Sequence, residues 1–126
     1  MIAVDTNVLV RLLVNNPDSQ KQVDLAKALL KQAKQVYVPQ IVQVEAVWVL
    51  ETAYQFAKAD VLIALKHLQK SALFVLQHQK QFDAALATFE KHTADFSDYL
   101  ILSGCLENQH QLFTFDKKFA VCNLAE

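Results

Sequence analysis

Glycine occurs once in this 126-residue chain, at Gly104, and proline twice, at Pro17 and Pro39. A turn-rich all-β sandwich leans on both residues at its turns, so their scarcity favours long helices joined by short loops. It also removes two modes of phosphate binding. Neither G-x-x-x-x-G-K-[ST] nor G-x-G-x-x-G occurs, and a single glycine cannot build a phosphate-cradling loop. Apolar residues make up 53% of the chain, enough for one continuous core at this length. With no repeat, low-complexity tract or linker in view, residues 1–126 read as a single domain.

Apolar periodicity places the elements. Ile2 to Val4 is a short apolar run ending at a carboxylate. Thr6 follows as an N-cap and Asn7 to Val14 as a helix, which together make a strand-to-helix unit. Val23, Ala26, Leu29, Leu30 and Ala33 recur at helical spacing opposite Lys21, Lys27, Lys31 and Lys34. Val36 to Val38 reads as a second strand. Ile41 to Tyr54 is a helix apolar nearly all round, which belongs in a core or an interface. Lys58 to Ser71 is a helix capped at Asp60 or just before it, Leu73 to Leu76 a buried-type strand, and Phe82 to His92 a helix. Asp95 opens a further helix that runs to about Asn108, and Leu112 to Phe115 reads as a last strand ending at Asp116. This alternation predicts an α/β fold, a three-layer α/β/α sandwich around a short, mainly parallel sheet.

Twelve Lys and Arg against thirteen Asp and Glu exclude the strongly basic surface of a general nucleic-acid coat protein. Cys105 and Cys122 are too few to staple a secreted scaffold of this size. The N-terminal run is broken by Asp5 and Arg11 and lacks a basic leader, so it does not read as a signal peptide. No window reaches the roughly 18 uncharged apolar residues of a membrane span. A cytoplasmic, soluble protein with no membrane partner is the expectation.

Ligands of open α/β sheets sit outside the carboxyl ends of the strands, and Asp5 and Asp116 each follow an expected strand directly. Two carboxylates there repel each other unless a cation lies between them, although either one alone is an ordinary turn or cap residue. Glu45 has Ile41, Val42, Trp48 and Val49 as helical neighbours. An ionised carboxylate on such a surface loses hydration and needs a proton, a basic partner or a metal, unless it lies on the helix's narrow polar stripe. Asp98 fits the third position of a helix capped by Asp95, where negative charge suits the macrodipole, and equally well a polar cluster aimed into a cleft. His67, His78, His92 and His110 show no paired spacing and the cysteines no C-x-x-C, which disfavours zinc. Carboxylate-only ligation suits Mg²⁺ or Mn²⁺. Lys117 and Lys118, beside Asp116, could meet a phosphate backbone.

The order Val4-Asp5-Thr6-Asn7-Val8-Leu9, then Glu45 in an apolar helix, then Asp95-Phe-Ser-Asp98-Tyr-Leu-Ile, then Leu112-Phe-Thr-Phe-Asp116-Lys-Lys-Phe119 resembles a PIN domain, and within that class the VapC-type toxins of bacterial toxin-antitoxin pairs. The resemblance runs through essentially the whole chain. It implies that Asp5, Glu45, Asp98 and Asp116 form the acidic quartet that binds Mg²⁺ or Mn²⁺, with Thr6 as the accompanying hydroxyl and Asn7 a neighbouring polar position. It also implies a homodimer, an antitoxin partner that blocks the site, and endoribonuclease action on RNA such as tRNA or ribosomal RNA, leaving a 5′-phosphate and a 3′-hydroxyl. Asp98 or Asp116 would orient the attacking water or accept its proton. Two other readings compete. A Mg²⁺-dependent phosphatase with Asp5 as nucleophile would want a second Asp where Asn7 stands. A non-catalytic module would dimerise through Ile41 to Leu50.

Overall fold

The structure, a computed structural model, describes residues 1–14, 24, 27–28, 31–32 and 34–115. The chain divides into two compact units, Met1–Gln77 and His78–Glu126.

The first unit is built on a parallel three-stranded sheet in the order β1 (Ile2–Ala3), β2 (Val36–Val38) and β3 (Phe74–Leu76). Ile2 pairs with Val36, and Val36 in turn with Phe74. The central strand has the sequence Val-Tyr-Val, and its two β-branched residues are wholly buried. Helix α1 (Thr6–Leu13) leaves β1 through Asp5 and buries Leu9 and Val10. Arg11 in its last turn complements the negative end of the helix and donates to the Tyr54 hydroxyl. Between α1 and β2, Asp24, Lys27, Ala28, Lys31 and Gln32 are helical, in line with the expected helix; the rest of that segment lies outside the described residues.

Helix α2 (Gln40–Thr52) begins directly after Pro39, which offers no side-chain cap; the Gln77 Oε1, from the end of β3, accepts from the Gln40 N–H at 2.8 Å instead. Helix α3 (Lys58–Lys70) buries Val61, Ala64, Leu65 and Leu68, one stripe at i, i+3, i+4 and i+7. Asp60 is its third residue, and Oδ2 accepts from the Ala57 N–H at 3.2 Å.

The second unit contains α4 (Gln79–Lys91) and α5 (Phe96–Glu107), which pack against each other. Phe82, Ala85, Leu86 and Phe89 repeat the same stripe on α4. Phe96 of α5 meets Phe82 and Phe89 edge to face, with ring centroids 5.5 and 5.8 Å apart. The buried Tyr99 hydroxyl accepts from the Ala94 N–H at 2.9 Å, so this polar atom enters the core with a partner.

Two sequence expectations require correction. Asp5, not Thr6, caps α1, because Asp5 takes the extended conformation of a cap (φ −87°, ψ 178°) and its carboxylate reaches Val8. Residues 112–115 form no strand: Phe113 and Phe115 point to solvent, Phe113 being 87% exposed. Asp116, Lys117 and Lys118 lie outside the described residues.

The one glycine serves no turn. Gly104 lies within α5, where a Cβ would stand 3.5 Å from the Gln81 Oε1. Among the described residues the left-handed positions are filled by Gln55, His78 and Gln109 instead. Gln109 and His110 close α5 by donating to the Leu106 and Cys105 carbonyls at 3.1 and 2.7 Å, the paired bonds of a Schellman ending.

Candidate active site

Because the sheet is parallel, all three strands finish at one edge. Asp5 follows β1 there, Pro39 leads from β2 into α2, and Gln77 follows β3. Asp5 is exposed. Its Oδ1 accepts from the Val8 N–H at 3.0 Å, so this oxygen satisfies an orphan donor of α1. Thr6, the first residue of α1, is half-buried and Asn7 is exposed.

Glu45 lies in the middle of α2 and is exposed. The desolvation expected from its neighbours is not realised, because Ile41 and Trp48, a turn to either side, are themselves 68% and 64% exposed. The case for Glu45 as a ligand therefore rests on its place in the helix that leaves the strand edge after β2. The buried face of α2 is made by Val42, Gln43, Ala46, Val47 and Leu50.

Gln43, which was not among the residues singled out from sequence, lies on the buried face of α2. It is 0% exposed. Its Nε2 donates to the Val38 carbonyl at 3.2 Å and to the Gln77 carbonyl at 3.0 Å, which are the ends of β2 and β3. A glutamine amid the apolar run Ile41 to Leu50 is the one sequence signal that could have marked it, since burial of an amide requires partners.

In the second unit Asp95 is the N-cap of α5 and Asp98 its third residue. The half-buried Asp98 accepts from the Asp95 N–H through Oδ2 at 3.3 Å, so the capping role considered from sequence is present.

Asp5, Thr6 and Glu45 thus belong to segments at the carboxyl edge of the sheet in the first unit, Asp98 belongs to the second unit, and Asp116 is outside the described residues. Among the described residues no group of three or more His, Cys, Asp or Glu could hold a metal ion. The donor chemistry of the candidates, carboxylate oxygen throughout, fits a hard divalent cation and not zinc. An open cavity of about 550 Å³ in the first unit is a different feature: Leu12, Leu13, Phe56, Asp60, Ile63, Ala64 and His67 line it, and neither Asp5 nor Glu45 does.

Residues 2–123 match the PIN domain family, and the chain belongs to that family. It has the α/β fold expected of a PIN domain, with its parallel three-stranded sheet. PIN domains form a nuclease family that typically binds Mg²⁺. Among solved structures the chain is similar to VapC20 of Mycobacterium tuberculosis, described as a sarcin-ricin loop cleaving toxin, at 16% identity over 97% of this chain and 95% of that one, with a TM-score of 0.46. No curated protein matches. Among the described residues no helix is long and apolar enough to cross a membrane.

Proposed function

We propose that the protein is a Mg²⁺- or Mn²⁺-dependent endoribonuclease formed by the whole chain as one functional domain, and that it is the toxin of a type II toxin-antitoxin pair. Membership of the PIN domain family over residues 2–123 carries this reading. The placement of Asp5 at the carboxyl edge of a parallel sheet supports it, because that is where open α/β folds bind ligands.

On this reading Asp5, Glu45, Asp98 and Asp116 would hold the ion, with Thr6, next to Asp5 in the chain, as a hydroxyl for the bound phosphate or its water. A divalent ion bound there supplies a lowered water pKa and neutralises charge on the phosphate. Asp98 or Asp116 orients the attacking water and takes its proton. The water oxygen bonds to phosphorus, the bond from phosphorus to the 3′ oxygen breaks, and that oxygen leaves with a proton, giving a 5′-phosphate and a 3′-hydroxyl.

The RNA is of the structured kind, tRNA or ribosomal RNA. Two protein partners complete the reading, a second copy of the chain and a cognate antitoxin. The exposed Ile41 and Trp48 on α2 and the 69% exposed Ile63 on α3 support association, since these are large apolar side chains in water.

Incubating the protein with total RNA and with tRNA, with Mg²⁺ or Mn²⁺ and with EDTA, tests the nuclease directly. Cleavage that requires the metal and leaves 5′-phosphate ends is the expected result. Cleavage that survives EDTA, or hydrolysis of p-nitrophenyl phosphate without RNA cleavage, overturns it.

A further inference from the structure

We propose that Gln43 is a positioning residue for the site, acting on the carboxylate of Glu45 through the setting of α2; the proposal rests on the metal-binding reading above. The Gln43 amide and the Gln77 side chain form a reciprocal clasp between the helix and the strand ends. Gln43 Nε2 donates to the carbonyls of Val38 and Gln77, while Gln77 Oε1 receives the Gln40 N–H that Pro39 leaves uncapped. The Val38 carbonyl takes the Gln77 N–H as well, at 3.0 Å, so one strand-end oxygen joins β2, β3 and α2.

The rest of the buried face of α2 is Val42, Ala46, Val47 and Leu50. Apolar burial is non-directional and fixes how deep a helix sits far better than its rotation about its own axis. Hydrogen bonds are directional and fix the rotation. Glu45 lies two residues beyond Gln43, roughly 200° around the helix, so a rotation released at the clasp carries Glu45 sideways along the surface. Gln43 Oε1 is buried and has no hydrogen-bond partner among the described residues. The acceptor is therefore not what holds the amide here; the two donated bonds are. Glutamine at this position carries an unsatisfied oxygen in order to present its nitrogen, which an apolar residue would do without if packing were its only task.

The test compares Mn²⁺ binding and Mn²⁺-dependent RNA cleavage by the full chain as wild type, Gln43→Met and Glu45→Gln. Methionine has nearly the volume of glutamine and removes the two donors together with the orphan acceptor, so it folds. Gln43→Asn, whose shorter amide cannot span both carbonyls, stands in if it does not. Expected are a rise of about tenfold in the Mn²⁺ Kd of Gln43→Met, the low end of what residues beyond the ligands contribute, and recovery of cleavage as Mn²⁺ is raised. A purely structural role gives an unchanged Kd and a loss that Mn²⁺ does not rescue, and that outcome overturns the proposal. An unchanged Kd for Gln43→Met beside a weakened Glu45→Gln overturns the positioning role alone. Failure of wild type to bind Mn²⁺, or a Glu45→Gln that binds as wild type does, removes Glu45 as a ligand and takes the proposal with it.

Discussion

Helix α1 and helix α5 both begin at a candidate carboxylate, and they hold it in opposite ways. At α1 the acid stands outside the helix: Asp5 is the cap, and it reaches forward to the Val8 N–H. At α5 the acid stands inside: Asp98 is the third residue, and it reaches back to the Asp95 N–H. Asp5 is also tied to the sheet, two residues beyond Ala3, whereas Asp98 shares its helix end with a second acid. Both place a carboxylate against the partial positive charge of a helix start, and on the nuclease reading both serve fold and metal together. Capping needs only an acceptor oxygen, and ligation needs the negative charge. An amide separates the two.

The largest effect expected is on cleavage. Asp5→Asn and Asp98→Asn each lower Mg²⁺- or Mn²⁺-dependent RNA cleavage by about 100-fold or more, because changes outside the ligand set alone cost about 10- to 100-fold and these remove a ligand charge. Either variant cleaving like wild type at matched metal breaks the parallel between the two helix starts, leaving that residue as a cap only.

Stability should then move the other way round. Asp5→Ala removes the acceptor for Val8 and should cost about 1 kcal/mol in urea unfolding of the metal-free protein, the usual loss for a missing N-cap. Asp5→Asn keeps an acceptor oxygen and should stay near wild type. Equal losses for Ala and Asn would mean that charge, not the hydrogen bond, holds this helix start.

At α5 the expected effect is smaller. If the macrodipole is the main partner of Asp98, Asp98→Asn costs roughly 0.3 to 1 kcal/mol. If repulsion among clustered carboxylates dominates in the metal-free protein, the same change is neutral or stabilising. The nuclease reading favours the second outcome, and urea unfolding with and without Mn²⁺ distinguishes them by sign.

Much of this was legible in the sequence because helical periodicity is dense information. The stripe Val61-Ala64-Leu65-Leu68 fixes α3 almost to the residue, while Phe82-Ala85-Leu86-Phe89 fixes α4 except for its first turn, which begins three residues earlier at Gln79. The central strand Val36–Val38 was legible through its β-branched residues. Two features depend on partners and were not legible. Residues 112–115 carry an apolar alternation without being a strand, since pairing is decided by distant chain. Gln43 is buried because its amide bonds the carbonyls at two strand ends, acceptors that come together only in the folded sheet. For the candidate carboxylates, the place of Asp98 as third residue of a helix capped by Asp95 was legible in the sequence, while the role of Asp5 as the cap of α1, expected at Thr6, emerged only from backbone geometry. The exposed setting of Glu45 reflects which face of α2 the sheet takes, which composition alone does not decide.

The smallest effects expected concern the glycine itself, which occupies a place where it costs stability and is missing where it would add some. Within α5, Gly104 gives up helix propensity, and the Cβ of an alanine would meet the Gln81 Oε1 at 3.5 Å, an ordinary contact. One turn further, Gln109 holds a left-handed φ of 60° that favours glycine. Gly104→Ala should stabilise by about 0.5 to 1 kcal/mol. Gln109→Gly should gain less, a few tenths of a kcal/mol, because relief of backbone strain is offset by the greater freedom of glycine in the unfolded chain. Gly104 lies within the helix and Gln109 just past its end, joined through Asn108, which bonds the Gly104 carbonyl, so the double variant in urea unfolding measures how far the two effects couple. A loss on Gly104→Ala would mean that Gln81 cannot accommodate a methyl group, and that the close approach of α4 to α5 is the reason the chain places its single glycine there.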